Sequence, residues 1–439
     1  MRKWRKKTIC RLLLLTTLIC LFSCNHEQPV AWKAGIEEAT DTVSYQQMFG
    51  ESVHGVLVVK DDVDLKNRKC CLPKGVTLNF QGGVIKNGTL VGDETKIDSY
   101  GACFDRVRIQ GSWNVPDIST RMFKDMDYDN SLKDVVALAS PNVRNKVVIE
   151  DGNYQVTALH SNDACLSLGG NTELVVDGVI QMVPNDYEIC YVIQAIGDNI
   201  AIQGNGTIIG DKHTHTGDTG EWGMGISLRA ARHARINGLT IRDCWGDCIY
   251  IDDGSMDVKI ENCTLDHGRR QGISVVYADG VTIRDCVISN VGGTNPEYAI
   301  DVEPDQDKTV DHVTIDRVIV RDCQGGFLVY GYAKDAKVGT VTIRDCNIDG
   351  EKKESLAASK CDTLIVENCD IIQHNGWGCV YCRDIGTFVL KGNTLQYDDG
   401  LFHHIKDWAR PSFGKKRIKL MDIENCGSTK IVQNQKREL

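Results

Sequence analysis

The segment Val258–Cys263 reads Val-Lys-Ile-Glu-Asn-Cys, and the pattern returns as Val-Thr-Ile-Arg-Asp-Cys at 281–286 and 341–346 and as Leu-Ile-Val-Glu-Asn-Cys at 364–369. Apolar, mostly β-branched residues alternate with polar residues in each segment, which is the pattern of a strand with one buried face. Because the segments recur, they are predicted to be successive coils of one repetitive structure.

The spacing of the repeat defines the fold class. The position of Cys263 is filled in turn by Asn205, Leu239, Cys263, Cys286, Val318, Cys346, Cys369 and Asn393, in steps of 34, 24, 23, 32, 28, 23 and 24 residues. A step of ~24 residues fits a coil of three short strands that packs on the coils above and below. An α/β barrel would need amphipathic helices between the strands, and the sequence has none there. The sequence therefore predicts an all-β fold, a right-handed parallel β-helix.

The cysteines fit the interior of such a stack. The chain has 19 cysteines, and many of them recur at the same position of the repeat. Like residues at one register position pack rung on rung, so most of these cysteines are predicted to be buried thiols. Cys244 with Cys248 and Cys379 with Cys382 are the pairs to inspect for disulfides.

The N-terminus has the order of a secretory signal. Six cations are followed by an apolar run from Leu12 to Phe22 that is too short to span a bilayer. Loss of residues 1–23 would lower the formal net charge from −10 to −16, which argues against nucleic acid as a partner. Leu21-Phe22-Ser23-Cys24 resembles the bacterial lipobox, and the resemblance implies that Cys24 carries lipid. We therefore expect a protein of the bacterial cell envelope, at the periplasmic or outer face of the outer membrane, held to the membrane only through its lipid.

The remaining chain is divided by composition and pattern. Residues 24–45 are predicted to be a tether, 46–125 a small β region or extra coils, 126–400 the β-helix and 401–439 a C-terminal cap. Residues 129–140 have a plausible N-cap and helical apolar spacing, so a short helix is expected there, before the strand predicted at 147–154.

Two insertions in the repeat bracket a candidate functional face. They lie between Asn205 and Leu239 and between Cys286 and Val318, where the steps are longest. Between them, the strands after the register position align with inward-facing Ile226, Ile249, Ile273, Ile300 and Leu328, so their neighbours are predicted to face outward.

The outward residues and adjacent turns carry acids, arginines and aromatic residues. The candidate catalytic residues are Asp247, Asp252, Asp301 and Glu303. The candidate substrate-binding residues are Glu221, Trp222, Arg229, Trp245, Tyr250, His267, Arg269, Arg270 and Gln271. Asp252 and Glu303 lie two rungs apart in one column, about 9–10 Å, which is close to the upper end of the separation of an inverting glycosidase pair. Acids beside arginines can hold different pKa values, and exposed tryptophans suit the apolar faces of sugar rings.

Metal binding is an alternative use of the same side chains. The acids could bind Ca²⁺, and His213 and His215 with Glu221 could bind a transition metal. No ligand set has the spacing of a known metal motif, so no metal or other cofactor is predicted.

At this point the chain resembles the pectin-lyase-like superfamily, in which a helix caps the first coil, and within it the polygalacturonase family of glycoside hydrolases. The family's Gly-Asp-Asp-Cys-Ile-Ala-Ile, Gly-His-Gly-Ile-Ser-Ile and Arg-Ile-Lys correspond to Gly246-Asp247-Cys248-Ile-Tyr-Ile, Arg270-Gln271-Gly272-Ile-Ser-Val and Asp301-Val-Glu303. The resemblance implies a carbohydrate-active protein, with Asp247 retained from the family's catalytic carboxylates.

The resemblance fails at the residues that bind the substrate carboxylate. Arg-Ile-Lys holds a uronate in that family, whereas Asp301 and Glu303 would repel it. The leading hypothesis is therefore an inverting glycoside hydrolase that acts on a neutral or amino sugar of an oligo- or polysaccharide. A polysaccharide lyase, with Arg269 or Arg270 neutralising a uronate, and a glycan-binding lipoprotein without catalysis remain alternatives. The sequence does not fix the oligomeric state.

Overall fold

The structure, a computed structural model, describes residues 39–52, 54–374, 378–397 and 421–438. The predicted signal, the lipidation site Cys24 and most of the predicted tether lie outside the described residues.

Residues 42–122 form short parallel strands. They comprise β1 (Thr42–Ser44), α1 (Tyr45–Phe49), β2 (Val56–Val59), β3 (Val63–Cys71), β4 (Thr77–Phe80), β5 (Ile85–Asp98), β6 (Phe104–Trp113), β7 (Asp117–Ser119) and a 3₁₀ turn (Thr120–Met122). β1, β3, β5 and β6 pair side by side, and β2, β4 and the end of β5 form a second row. All of these pairings are parallel, as in coils of a solenoid.

The rest of the described chain continues this arrangement with one short helix. Its elements are α2 (Ser131–Val136), β8 (Asn145–Ile149), β9 (Asn153–Val156), β10 (Asp163–Leu168), β11 (Thr172–Val176), β12 (Val179–Met182), β13 (Ile189–Asp198), β14 (Ala201–Gln203), β15 (Thr207–Ile209), β16 (Trp222–Arg232), β17 (Arg235–Asn237), β18 (Thr240–Arg242), β19 (Ile249–Asp252), β20 (Ser255–Glu261), β21 (Thr264–Asp266), β22 (Ile273–Val275), β23 (Ala278–Arg284), β24 (Val287–Ser289), β25 (Tyr298–Val302), β26 (Thr309–Asp316), β27 (Ile319–Arg321), β28 (Gly325–Tyr330), β29 (Lys337–Arg344), β30 (Asn347–Gly350), β31 (Leu356–Glu367), β32 (Asp370–Gln373), β33 (Val380–Lys391), β34 (Thr394–Tyr397), β35 (Met421–Glu424), β36 (Ser428–Val432) and β37 (Gln435–Glu438).

These strands make three faces. The first face contains β10, β13, β16, β19, β22, β25, β28 and the first halves of β31 and β33, and the second contains β8, β11, β14, β17, β20, β23, β26, β29 and the second halves of β31 and β33. The third face is an 11-stranded sheet from β9 to β37. The described part of the predicted C-terminal cap, β35 to β37, adds one more strand to each face.

The repeated Asn or Asp before Cys has a local cause. Asn262, Asp285, Asp345 and Asn368 have φ of 56°, 53°, 54° and 55° at the bend between the second and third faces. Asn and Asp tolerate this left-handed conformation better than most residues, because their side chains can hydrogen-bond the local backbone. The cysteine that follows points inward, as Cys263 and Cys286 do with 1% exposure each.

One hydrophobic core runs through the stack. A single cluster of buried residues extends from Val43 to Leu395, and the inward-facing isoleucines of the first face, Ile226, Ile249, Ile273 and Ile300, are fully buried within it. The described cysteines are free thiols, and most are buried, as predicted. Cys244, Cys248, Cys379 and Cys382 are among them, so neither inspected pair forms a disulfide.

The predicted helix is present as α2, which is shorter than the predicted span. Its Leu132 and Val135 are fully buried against the core, and it ends at Val136, before the predicted strand begins. Within the described ranges, no helix has the length and apolar character needed to cross a membrane.

Two register assignments made from the sequence are wrong by one residue. Thr207 pairs with Thr240, so Gly206 rather than Asn205 lies level with Leu239. Ile300 pairs with Phe327, so Phe327 points inward and Leu328 outward, the reverse of the prediction. A shift of one residue moves every side chain of a strand to the opposite face.

Candidate active site

The polar residues of the first face lie on neighbouring rungs. Tyr250 pairs with Ser274, and Ser274 pairs with Asp301, so these three side chains form one outward column across β19, β22 and β25. Adjacent parallel strands are ~4.8 Å apart, which brings side chains of successive rungs into contact. The column is the central part of the candidate site.

Asp247, just before β19, is buried and hydrogen-bonded. Arg270 Nη1 lies 3.1 Å from its Oδ2, and Ser274 Oγ donates to the same oxygen at 2.8 Å. The Asp247 side chain is 0% exposed. Burial raises the pKa of Asp247, and the Arg270 guanidinium offsets part of this rise by stabilising the carboxylate. Asp247 therefore has a cation and a hydroxyl that hold its carboxylate in place.

Asp301 lies one rung beyond Ser274 and is held by an amide. Gln271 Nε2 donates to Asp301 Oδ2 at 2.7 Å, while Gln271 Oε1 accepts from the backbone N–H of Tyr298 at 2.8 Å. The second oxygen, Oδ1, is buried and has no hydrogen-bond donor among the described residues. Burial and the neighbouring Glu303 raise the pKa of Asp301 well above its ordinary value. The pKa of Glu303, which is half-buried, is also raised by burial.

Two carboxyl groups in such proximity cannot both be ionised at low cost. A proton shared by Asp301 and Glu303 would relieve the repulsion and give Asp301 Oδ1 the donor that it otherwise lacks. This pair is thus suited to hold a proton at a pH where an exposed carboxyl would have lost it.

Arg270 is the cation of this cluster. Besides Asp247, its Nε lies 3.5 Å from Glu221 Oε2, which places the first insertion against the β22 rung. Its charge also acts on Asp301 and Glu303 and lowers their pKa values against the effect of burial. The predicted residues Glu221, Asp247, Arg270, Gln271, Asp301 and Glu303 are therefore one interacting group, which we call the acid cluster.

Asp252 belongs to a second group. Lys308 Nζ contacts both of its oxygens, at 2.9 and 3.1 Å, and Tyr250 donates its hydroxyl to Oδ2 at 3.4 Å. Arg229 Nη2 lies 3.9 Å from the same carboxylate. Asp252 is 3% exposed. The contacts of Asp252 are thus with Lys308, Tyr250 and Arg229, and its pairing with Glu303 as acid and base stays a prediction.

The two tryptophans predicted to bind substrate differ in their exposure to solvent and in their packing contacts. Trp222, at the start of β16, is 40% exposed. Trp245 stacks on the buried His215 ring with centroids 4.0 Å apart, and the Arg269 guanidinium lies 3.6 Å from its ring centroid. Arg269 also donates to the backbone oxygens of Gly220 and Trp245, at 2.8 and 3.1 Å. Trp245 and Arg269 therefore pack the first insertion against the coils of the β-helix, and their contact with a sugar stays a prediction.

The predicted histidines do not converge on a metal site. His213 Nε2 pairs with Asp243 Oδ1 at 3.0 Å, and His215 Nδ1 pairs with Asp211 Oδ2 at 2.8 Å. His267 Nδ1 pairs with Asp266 Oδ2 at 2.8 Å, and its ring contacts that of His213 rather than the acid cluster. Among the described residues, no group of three or more His, Cys, Asp or Glu side chains is arranged to hold a metal ion.

Three contributors were not singled out as site residues from the sequence. They are Ser274, Tyr298 and Lys308. The signal for Ser274 was its position between Tyr250 and Asp301 in the column. Lys308 follows the acidic part of the second insertion, where a cation among Glu303, Asp305 and Asp307 is a candidate partner for a buried acid.

Comparison with known proteins agrees with the fold. Residues 147–310 match the family model described as "Right handed beta helix region". The SPbeta prophage-derived uncharacterized protein YorA of Bacillus subtilis is 28% identical over 253 residues, which cover 50% of this chain and 40% of that protein. The chain spans less than half the length of the curated relatives that it matches.

Solved structures with similar folds include carbohydrate-active enzymes. The mannuronan C-5 epimerase AlgE6 A-module of Azotobacter vinelandii has a TM-score of 0.45 and 13% identity over 70% of this chain and 94% of its own. An exopolygalacturonase from Thermotoga maritima has a TM-score of 0.44 and 13% identity over 64% of this chain and 87% of its own. The parallel coils, the three faces and the matched family model together confirm the fold predicted from the sequence: the chain is a right-handed parallel β-helix.

Proposed function

We propose that the chain is a glycoside hydrolase whose acid cluster cleaves a glycosidic bond of a polysaccharide or host glycan. The observation that carries the proposal is the buried Asp301 beside Glu303, two carboxyl groups whose pKa values are both raised. A carboxylic acid that keeps its proton near neutral pH is what a glycosidase needs to protonate the leaving oxygen. In this proposal the Asp301–Glu303 pair is the general acid, and the half-buried Glu303 is the member that faces the substrate.

Asp247 is proposed as the opposing carboxylate. Ser274 separates it from the acid pair, because Ser274 hydrogen-bonds Asp247 and lies one rung before Asp301. The Arg270 guanidinium stabilises the ionised form of Asp247, as a general base requires. A base that activates a water on the far side of the sugar gives inversion, so we propose an inverting reaction.

The substrate is proposed to be neutral or basic at the cleaved sugar. Asp247, Asp301, Glu303 and Glu221 surround the single cation Arg270, which is already engaged by Asp247 and Glu221. A uronate there would meet more carboxylates than free cations. The same engagement of Arg270 argues against the alternative of a polysaccharide lyase, in which an arginine would neutralise the substrate carboxylate.

A glycan panel distinguishes the candidate functions. The expected result is new reducing ends, without the ultraviolet absorbance of a new carbon–carbon double bond, from at least one neutral or amino-sugar polysaccharide. Absorbance from a double bond would replace the hydrolase by the lyase. Binding with neither product would leave a glycan-binding protein.

We also propose that the protein is held in the cell envelope by lipid on Cys24, on the basis of the signal and lipobox pattern. Labelling with a radioactive fatty acid in a bacterial host should mark the parent chain. The Cys24→Ser variant should be unlabelled and released from the membrane fraction. Equal labelling of both chains would contradict the proposal.

A further inference from the structure

A cleft lies where the N-terminal coils meet the main β-helix. It has a volume of about 350 Å³ and lies between the end of β5 and the short strand β7. β7 pairs with β8, whereas the end of β5 pairs with β4. These strands leave an opening in the wall of the stack instead of continuing it.

The cleft is separate from the acid cluster. β8 belongs to the second face, and six successive strand pairings lead from it to β26, the second-face strand that follows Asp301. At ~4.8 Å per rung the two sites are on the order of 30 Å apart. Asp301 is also on a different face, the first.

The floor of the cleft is apolar and its rim is polar with balanced charge. Ile118 and Val115 in the floor are 1% and 3% exposed and belong to the main core. On the rim, Arg121 Nη2 donates to Glu150 Oε2 at 3.0 Å. Asp117 and Lys146 are register partners on β7 and β8, and both are exposed. Two acids and two cations leave no net charge to select an ion, which favours a neutral ligand with many hydroxyl groups.

Tyr100 lies at the solvent edge of the cleft. Its side chain is 104% exposed, more than any of the other exposed large apolar side chains of the described chain, such as Tyr277 at 41%. A tyrosine ring in water offers an apolar face for stacking and a hydroxyl for hydrogen bonding. Pocket volumes for small ligands start near ~300 Å³, so the cleft has room for one or two sugar rings.

We propose that this cleft is a second glycan-binding site, which takes a neutral sugar unit of a polysaccharide by stacking on Tyr100 and by hydrogen bonds to the polar rim. The site acts independently of the acid cluster and would keep the protein on a polysaccharide while other parts of the chain are cleaved. Its affinity adds to that of the acid cluster without a new contact at the reacting bond.

Native gels that contain galactan, xylan, arabinan or mannan test the site in the Asp301→Asn variant of the full chain, which cannot consume the gel. We expect retardation in at least one gel, and the additional change Tyr100→Ala should weaken apparent affinity about fivefold. The matched control Tyr277→Ala should leave it unchanged, and circular dichroism should show the same fold for all variants.

The proposal is overturned if none of the four gels retards the protein, or if Tyr100→Ala is retarded as much as its parent. Failure of the proposed hydrolase function has a different signature. If retardation depends on Tyr100 but the chain without the Asp301→Asn change releases no reducing ends from any glycan of the panel, the hydrolase function is refuted and the second site is still supported.

Discussion

Exchange of Gln271 for methionine should change the pKa of the proposed general acid, the Asp301–Glu303 pair, without removing a contact of the proposed general base, Asp247. Gln271 donates to Asp301 Oδ2 at 2.7 Å and so stabilises the ionised form of that carboxyl. Methionine has a similar length and no donor, so the Gln271→Met variant should raise the pKa of Asp301 further. The acid pair would then keep its proton to a higher pH, and the alkaline limb of the kcat/KM profile should move to higher pH.

The magnitude follows from the bond that is lost. A hydrogen bond to a charged group contributes about 1.5–3 kcal/mol, which is about a tenfold or larger change in an equilibrium. At a fixed pH on the alkaline limb, the fraction of optimal activity that the variant retains should therefore exceed that of the parent by about tenfold. The variant should also lose stability, because the N–H of Tyr298 loses its acceptor, so folding is checked by circular dichroism.

Ser274→Ala is the matched control for this experiment. It removes the hydroxyl that donates to Asp247 at 2.8 Å and leaves the Gln271 contacts in place. The pKa of Asp247 should rise, which moves the acid limb to higher pH and leaves the alkaline limb unchanged. An alkaline limb that stays in place, or moves to lower pH, in Gln271→Met would refute the assignment of the Asp301–Glu303 pair as the general acid.

Three further predictions concern stability. Lys308→Met should lower the free energy of unfolding in urea by about 2 kcal/mol, because Asp252 would be left buried without its main cation, and an unchanged urea midpoint would contradict this role. Phe327→Ala should cost about 3–5 kcal/mol and Leu328→Ala about 1–2 kcal/mol, and the reverse order would contradict the observed register. Burial raises the pKa of Asp134 to about 6. Since its unfolded value is lower, this group's contribution to stability is full below about pH 4 and falls as pH rises to about 6, by roughly 2–3 kcal/mol. Asp134→Asn should lack that part of the pH dependence of the urea midpoint.

The repeat made the fold predictable. Four copies of one pattern gave the period, the strands and the inward cysteines, since each coil must bury the same positions against its neighbours. Alternation along the aligned strands also predicts that Tyr250, Ser274 and Asp301 face outward in one column, which the structure confirms. Within regular coils, spacing along the chain is enough to assign the face of a side chain.

The register predicted from the sequence was wrong where the spacing between strands is irregular. The turn between Arg321 and Gly325 lies before Phe327, and without a fixed turn length nothing in the sequence distinguishes Phe327 from Leu328 as the inward residue. Contacts made by inserted loops were likewise hidden. Arg269, which is predicted to bind substrate, packs on Trp245, and Lys308 neutralises Asp252 across 56 residues of chain. Such contacts depend on loop conformation, which the repeat does not fix.

The central claim is that the carboxyl groups of the acid cluster cleave a glycan. It is tested most directly by the rate of reducing-end release from the best panel substrate by the parent, Asp247→Asn, Asp301→Asn and Glu303→Gln. The account predicts a fall of at least about a hundredfold in each, the scale of a lost general acid or base, with a parent-like rate for folded Asp252→Asn. Full activity in all three acid-cluster variants would contradict it.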